Sequence, residues 1–115
     1  MTEFFICPVA KPRMTRSDKF KKRLATDKYW KFKDQCRLEQ VVLPCFGAHV
    51  TFILPMPASW SQKKKAQKNG KPHMSKPDLD NCLKALGDAI YEDDSGVYDI
   101  WVTKRWGVSG KILIE

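Results

Sequence analysis

The apolar positions of this chain change their period several times, and each change marks an element. Residues 3 to 9, "EFFICPV", are a short apolar run that reads as a strand ended by Pro8 and Pro12. The next stretch, "KPRMTRSDKFKKRLA", is basic and reads as loop or frayed helix. Thr26 or Asp27 can then cap a helix over "KYWKFKDQCRLEQVV", in which Tyr29, Phe32 and Cys36 recur at spacings of three and four. Strict alternation returns in residues 48 to 54, "AHVTFIL", as a second strand.

Residues 55 to 76 break every period. Their prolines, glycine and six lysines predict a long basic surface loop, and loops of that length in compact domains are usually functional or disordered. Asp78 or Asp80 opens a second helix with Leu83, Leu86 and Ile90 on one side. The strand-like "SGVYDIWVTKRW" follows, and "GVSG" turns it into "KILIE", predicting a terminal hairpin. The order is β-α-β-α-β-β, a mixed α+β arrangement on one mixed sheet. At 115 residues and 43% hydrophobic content, it predicts a single domain over 1 to 115. No internal repeat interrupts it.

Charge changes this picture. The chain carries a formal net charge of +8, which favours a polyanionic partner. The distribution is uneven: residues 1 to 76 hold 17 Lys and Arg against 5 Asp and Glu, whereas residues 77 to 115 hold 4 against 8. A basic surface thus surrounds a local acidic segment. No apolar run approaches the ~20 residues that span a bilayer, and the N-terminal residues lack the pattern of a secretion signal, so the expectation is a soluble, cytoplasmic protein without a membrane partner. Cys7, Cys36, Cys45 and Cys82 are widely spaced and predict reduced, mostly buried thiols rather than a zinc or redox motif. His49 and His73 have no partner at ligand spacing and read as non-catalytic. Trp30, Trp101 and Trp106 fit core positions, while Trp60, in the proline-bounded basic loop, can stack on a base or wedge into a junction.

The acidic segment "KPDLDNCLKALGDAIYEDDSGV" carries the chemistry. Side chains two apart in extended chain point the same way, so Asp78 and Asp80 can direct both carboxylates into one space. A hard divalent cation such as Mg2+ suits oxygen donors and turns a pair that would repel phosphate into an electrophilic site. Asp93 and Asp94 can supply a third ligand. Lys84, four residues after Asp80 on the same helical face, can contact a scissile phosphate. Each feature also has a plainer reading: Asp80 as a helix cap, "EDDSG" as turn chemistry, Lys84 as a solvated lysine.

These residues also carry a resemblance. "PDLDNCLKALGDAIYEDDSGVYDIWVTKRW" resembles the signature of the RusA family of Holliday junction resolvases, which includes many phage-encoded relatives. The shared pattern is D-x-D-N, a lysine three residues after the asparagine, a D-A pair, then D-D leading into a strand. "PVAKPRMTR" ahead of a helix is similar to phage members. The resemblance implies a homodimeric, Mg2+-dependent endodeoxyribonuclease, with Mn2+ as a substitute, that nicks four-way junctions and other branched DNA. By position in the pattern, Asp78, Asp80 and Asp94 are the metal ligands, Lys84 the basic catalytic residue and Asn81 a polar DNA contact, with Asp93 the neighbour of the third ligand. The chain departs from the pattern in lacking a few residues between Ala89 and "YEDD", and in having Gly96 where a larger polar residue is common.

Phosphate contacts would come from Lys63, Lys64, Lys65 and Lys68 together with Lys11, Arg13 and Arg16, giving affinity without sequence preference. The alternative is a non-catalytic basic DNA-binding protein whose acidic segment is only cap and turn.

Overall fold

The computed structural model describes residues 2–12, 24–43, 47–91 and 96–115, with side chains described from residue 27 onward in the first helix. These residues form β1 (Thr2–Phe4), α1 (Leu24–Leu38), β2 (Ala48–Pro55), α2 (Gln62–Lys68), α3 (Leu79–Ile90), β3 (Ile100–Gly107) and β4 (Lys111–Ile114). The strands make one mixed sheet in the order β1-β4-β2-β3. β2 runs parallel to β3, and β4 runs antiparallel to both β2 and β1. The expected mixed α+β class and mixed sheet are therefore present.

Alternation in β2 gives it one buried face, and it is paired on both edges. Ala48, Val50, Phe52 and Leu54 are buried on one face, while His49, Thr51 and Ile53 lie on the other. β4 supplies Ile112 and Ile114 opposite Phe52 and Val50, so the two apolar rows share a face. On that face α1 contributes Tyr29, Phe32 and Cys36, and α3 contributes Cys82, Ala85, Leu86 and Ala89. The small residues of α3 leave room for α1 to pack alongside. Full burial of side chains such as Phe52 and Leu86 contributes roughly 1.5–3 kcal/mol each.

Several expectations are corrected. β3 and β4 do not form a hairpin, because β2 lies between them. The loop expected over 55–76 contains α2, a helix without a single buried residue. Ser61 caps it by accepting a hydrogen bond from the Lys64 backbone N–H at 3.2 Å, and its Gln, Lys and Ala residues are good helix formers. α1 begins at Leu24, before Thr26 and Asp27, and ends at Leu38, where Gln40 adopts a positive φ of 55°. β1 covers only Thr2–Phe4; the chain beyond it runs without regular structure to Pro12. Trp30 and Trp101 are exposed, Trp101 stacking on His49 at 3.9 Å on the sheet face away from the helices. Cys36 and Cys82 are buried thiols as expected, but Cys7 is exposed. Cys45 lies outside the described residues. No helix among the described residues is long and apolar enough to cross a membrane.

Candidate active site at the N-terminus of α3

α3 begins where the apolar face of "LDNCLKALGDAI" first meets the core. Asp78 is its N-cap residue, in extended conformation (φ −67°, ψ 146°), and Asp80 lies in the first turn. The two aspartates therefore straddle the helix start instead of sharing one extended segment, which corrects the geometry expected from their spacing. An N-cap aspartate normally accepts a backbone N–H with its carboxylate. Asp78 makes no such bond. Asp78 is exposed, and among the described residues no cation pairs with it. The positive end of the helix dipole favours anionic groups at both positions.

Asp80 is also exposed. Among the described residues its ionic partner is Lys84, one turn on, at 3.9 Å, and both side chains are open to solvent (72% and 61%). An ion pair so long and exposed contributes little to stability. Asp80 and Lys84 are thus neighbours without being committed to each other. Asn81 is half-buried, and its carbonyl accepts the Lys11 backbone N–H at 3.1 Å. That bond ties the segment before α1 to the first turn of α3.

Beneath this turn lies Cys82, fully buried. Burial pushes its thiol up to about 11, with Asp78 and Asp80 raising it and the Lys104 ammonium opposing. Cys82 is therefore an inert neutral thiol that senses both carboxylates and a cation from β3. That cation carried no pattern in the sequence. Lys104 pairs with Phe52 in the β2–β3 register, so it lies on the helix-covered face, and its Nζ donates to the carbonyls of Ser75 and Pro77 at 2.6 Å each.

The remaining expected residues fall into three groups. Lys63, Lys64, Lys65 and Lys68 all lie on α2, where Lys65 is half-buried and the other three are exposed. Trp60 joins this helix to the sheet, packing on Trp106 at 4.8 Å while the Lys64 ammonium sits 4.3 Å from its ring centre. Lys11, expected on DNA, reaches Asp88 at 2.7 Å near the far end of α3. Arg13, Arg16, Asp93 and Asp94 lie outside the described residues. Among the described residues no three acidic, histidine or cysteine side chains gather as a metal site.

Asp88 forms the other polar centre. It accepts the Tyr29 hydroxyl at 2.9 Å and pairs with Lys11, so α1, α3 and the segment after β1 meet on one carboxylate. Burial pushes the Asp88 carboxyl up, but Lys11, Tyr29 and Lys33 outweigh it and hold the group below its ordinary value. Burial and the Asp88 bond raise the Tyr29 hydroxyl to about 12.

Comparison with known proteins bears on this arrangement. The family model "Endodeoxyribonuclease RusA" matches residues 6–115. A Bacillus subtilis (strain 168) protein, "Uncharacterized protein YqaN", is 37% identical over 103 residues, covering 78% of this chain and 72% of that protein. No solved structure matches the chain. With nearly its whole length matched, and with the D-x-D-N turn placed at a helix start, this chain belongs to the RusA endodeoxyribonuclease family.

Proposed function

We propose that the protein is a divalent-metal-dependent endodeoxyribonuclease that resolves four-way junctions and other branched DNA by paired nicks, acting as a homodimer in DNA recombination and repair. The observation that carries this reading is the exposed Asp78 carboxylate, which stands at the N-cap of α3 without a capping bond in a chain matched by an endodeoxyribonuclease family. A purely structural N-cap would use that carboxylate on its own helix. Asp80, exposed and loosely paired, adds a second hard oxygen donor.

This donor set fits Mg2+, with Mn2+ as a substitute. Asp78 and Asp80 would hold the ion together with Asp94, the third carboxylate of the family pattern. A bound divalent cation supplies charge neutralisation at the phosphate and lowers the pKa of a coordinated water. The protein's own residues do the rest. Lys84 stands one turn from Asp80 with its ammonium open to solvent, where it can meet a phosphate oxygen as negative charge builds during in-line displacement. Asn81 supports the turn. The lysines of α2, a helix with no buried residue, place cationic charge on the surface that suits the sugar-phosphate backbone and carries no base preference. Two such sites related by a two-fold axis suit the paired strands of a junction.

The test is cleavage of a synthetic four-way junction beside a linear duplex of the same sequence, at low salt, with Mg2+ or with EDTA. Paired nicks that require metal and are confined to the junction are expected. Salt-sensitive binding without cutting in either Mg2+ or Mn2+ would replace this reading with that of a non-catalytic DNA-binding member.

A further inference from the structure

We propose that Lys104 is a positioning residue for the acidic site: it clamps the backbone of residues 75–77 to β3 and so fixes where Asp78 presents its carboxylate. The consequence for metal binding rests on the proposed nuclease reading; the clamp itself does not.

The geometry is specific. One ammonium has three N–H donors. Lys104 spends two of them on the Ser75 and Pro77 carbonyls, both at 2.6 Å, and Pro77 immediately precedes Asp78. Charge-assisted bonds of this length are the stronger kind. The strand behind the lysine is well held: Lys104 pairs with Phe52, which is fully buried, and its own carbonyl accepts the His73 backbone N–H at 3.0 Å. Trp106, two residues on and on the same face, packs against the buried His73 ring at 3.9 Å. The segment from His73 to Pro77 is thus fastened to β3 at its start by the backbone and at its end by the Lys104 side chain.

That fastening matters because, among the described residues, Asp78 is held only through its backbone, whose carbonyl accepts the Cys82 N–H at 3.1 Å. Its side chain makes no capping bond, and it is exposed. A carboxylate that neither packs nor caps is placed only by its backbone, and sites of this kind need their supporting groups to hold ligands within fractions of an ångström.

Electrostatics and positioning predict opposite signs, which makes the proposal decidable. The Lys104 ammonium is a positive charge held against the segment that leads into the two carboxylates. If that were all it did, neutralising it would strengthen binding of a divalent cation. If it acts as a clamp, neutralising it weakens that binding despite the removed charge.

The experiment compares the full chain with Lys104→Met, an unbranched neutral side chain of similar length, in two readouts. The first is backbone hydrogen exchange without metal. Faster exchange over residues 76–82, with β2 and β4 unchanged, is expected, and identical exchange over that segment would overturn the clamp. The second is Mn2+ titration followed by electron paramagnetic resonance. About tenfold weaker binding is expected when a ligand's supporting hydrogen bonds are removed; unchanged or tighter binding would overturn the positioning role. If the parental chain bound no Mn2+, the nuclease reading would fall while the exchange result still decided the clamp. Should Lys104→Met not fold, Lys104→Gln takes its place, because it stays polar while removing the charge and shortening the side chain that reaches the two carbonyls.

Discussion

The two ends of α3 each carry aspartate, and they use it in opposite ways. At the C-terminal end Asp88 is tied down: the Tyr29 hydroxyl and the Lys11 ammonium both reach it, and its carboxyl is held below the ordinary value. At the N-terminal end Asp78 and Asp80 are open, one without the capping bond its position offers and the other at 3.9 Å from an exposed lysine. One helix thus separates a carboxylate that holds elements together from carboxylates that stay exposed and loosely partnered. Net charge cannot make that distinction. Partner geometry does.

The largest effect should come from breaking the open end. Asp80→Asn keeps shape and removes charge, and it should lower junction cleavage by at least about 100-fold while changing metal-free stability by no more than about 1 kcal/mol. Junction binding should hold or tighten, because a group that repels phosphate has gone. Cleavage at the parental rate, read in a single-turnover assay, would refute the assigned ligand.

Breaking the closed end should do the reverse. Asp88→Asn removes a charge-assisted bond at a partly buried site and should destabilise the fold by about 1–3 kcal/mol in urea unfolding. Tyr29→Phe should take about 1 kcal/mol from the same centre. A variant at either position as stable as the parent would mean that the α1–α3 packing does not depend on this bond.

Acid sharpens the contrast further. Because the folded Asp88 carboxyl is lowered, its contribution is fully present above the unfolded carboxyl value of 3.8 and is lost as pH falls through the folded value. His73 acts earlier. Burial and then the Lys104 ammonium lower its folded value, so the fold favours the neutral ring. Stability should therefore begin to fall as pH drops below the ordinary histidine value of 6.5. Unfolding free energies measured from pH 8 to pH 3 should show the histidine loss first, and His73→Asn should remove it.

The smallest effect concerns α2. Replacing Lys63 or Lys68 by Gln should weaken junction binding about equally for all sequences and reduce the slope of log affinity against log salt by about 1 for each phosphate no longer neutralised. An unchanged slope would remove that lysine from the DNA-binding face.

Much of this is legible in the residues, for identifiable reasons. α3 announces itself by Leu83, Leu86 and Ile90, and its acidic start by two aspartates before an apolar stripe. β2 and β4 alternate cleanly because each has one buried face. α2 is hidden because burial generates the apolar period, and a helix with no buried residue has none to show. The strand order is hidden because β2 and β4 pair across more than fifty residues, whereas the glycine turn before β4 signals only a local reversal. Lys104 gives no signal, since one lysine in a strand looks the same whether it meets water or two carbonyls. The Lys11–Asp88 pair is concealed likewise, because composition counts a basic residue without saying what neutralises it.

The most direct test is the effect of Mg2+ on thermal unfolding, measured for the parent, Asp80→Asn and Asp88→Asn in the absence of DNA. A ligand that binds only the folded state raises its apparent stability by mass action. The account predicts that Mg2+ raises the midpoint of the parent and of Asp88→Asn by similar amounts and leaves Asp80→Asn unmoved. Equal shifts in all three proteins, or a shift lost in Asp88→Asn and kept in Asp80→Asn, would contradict the division of labour along α3.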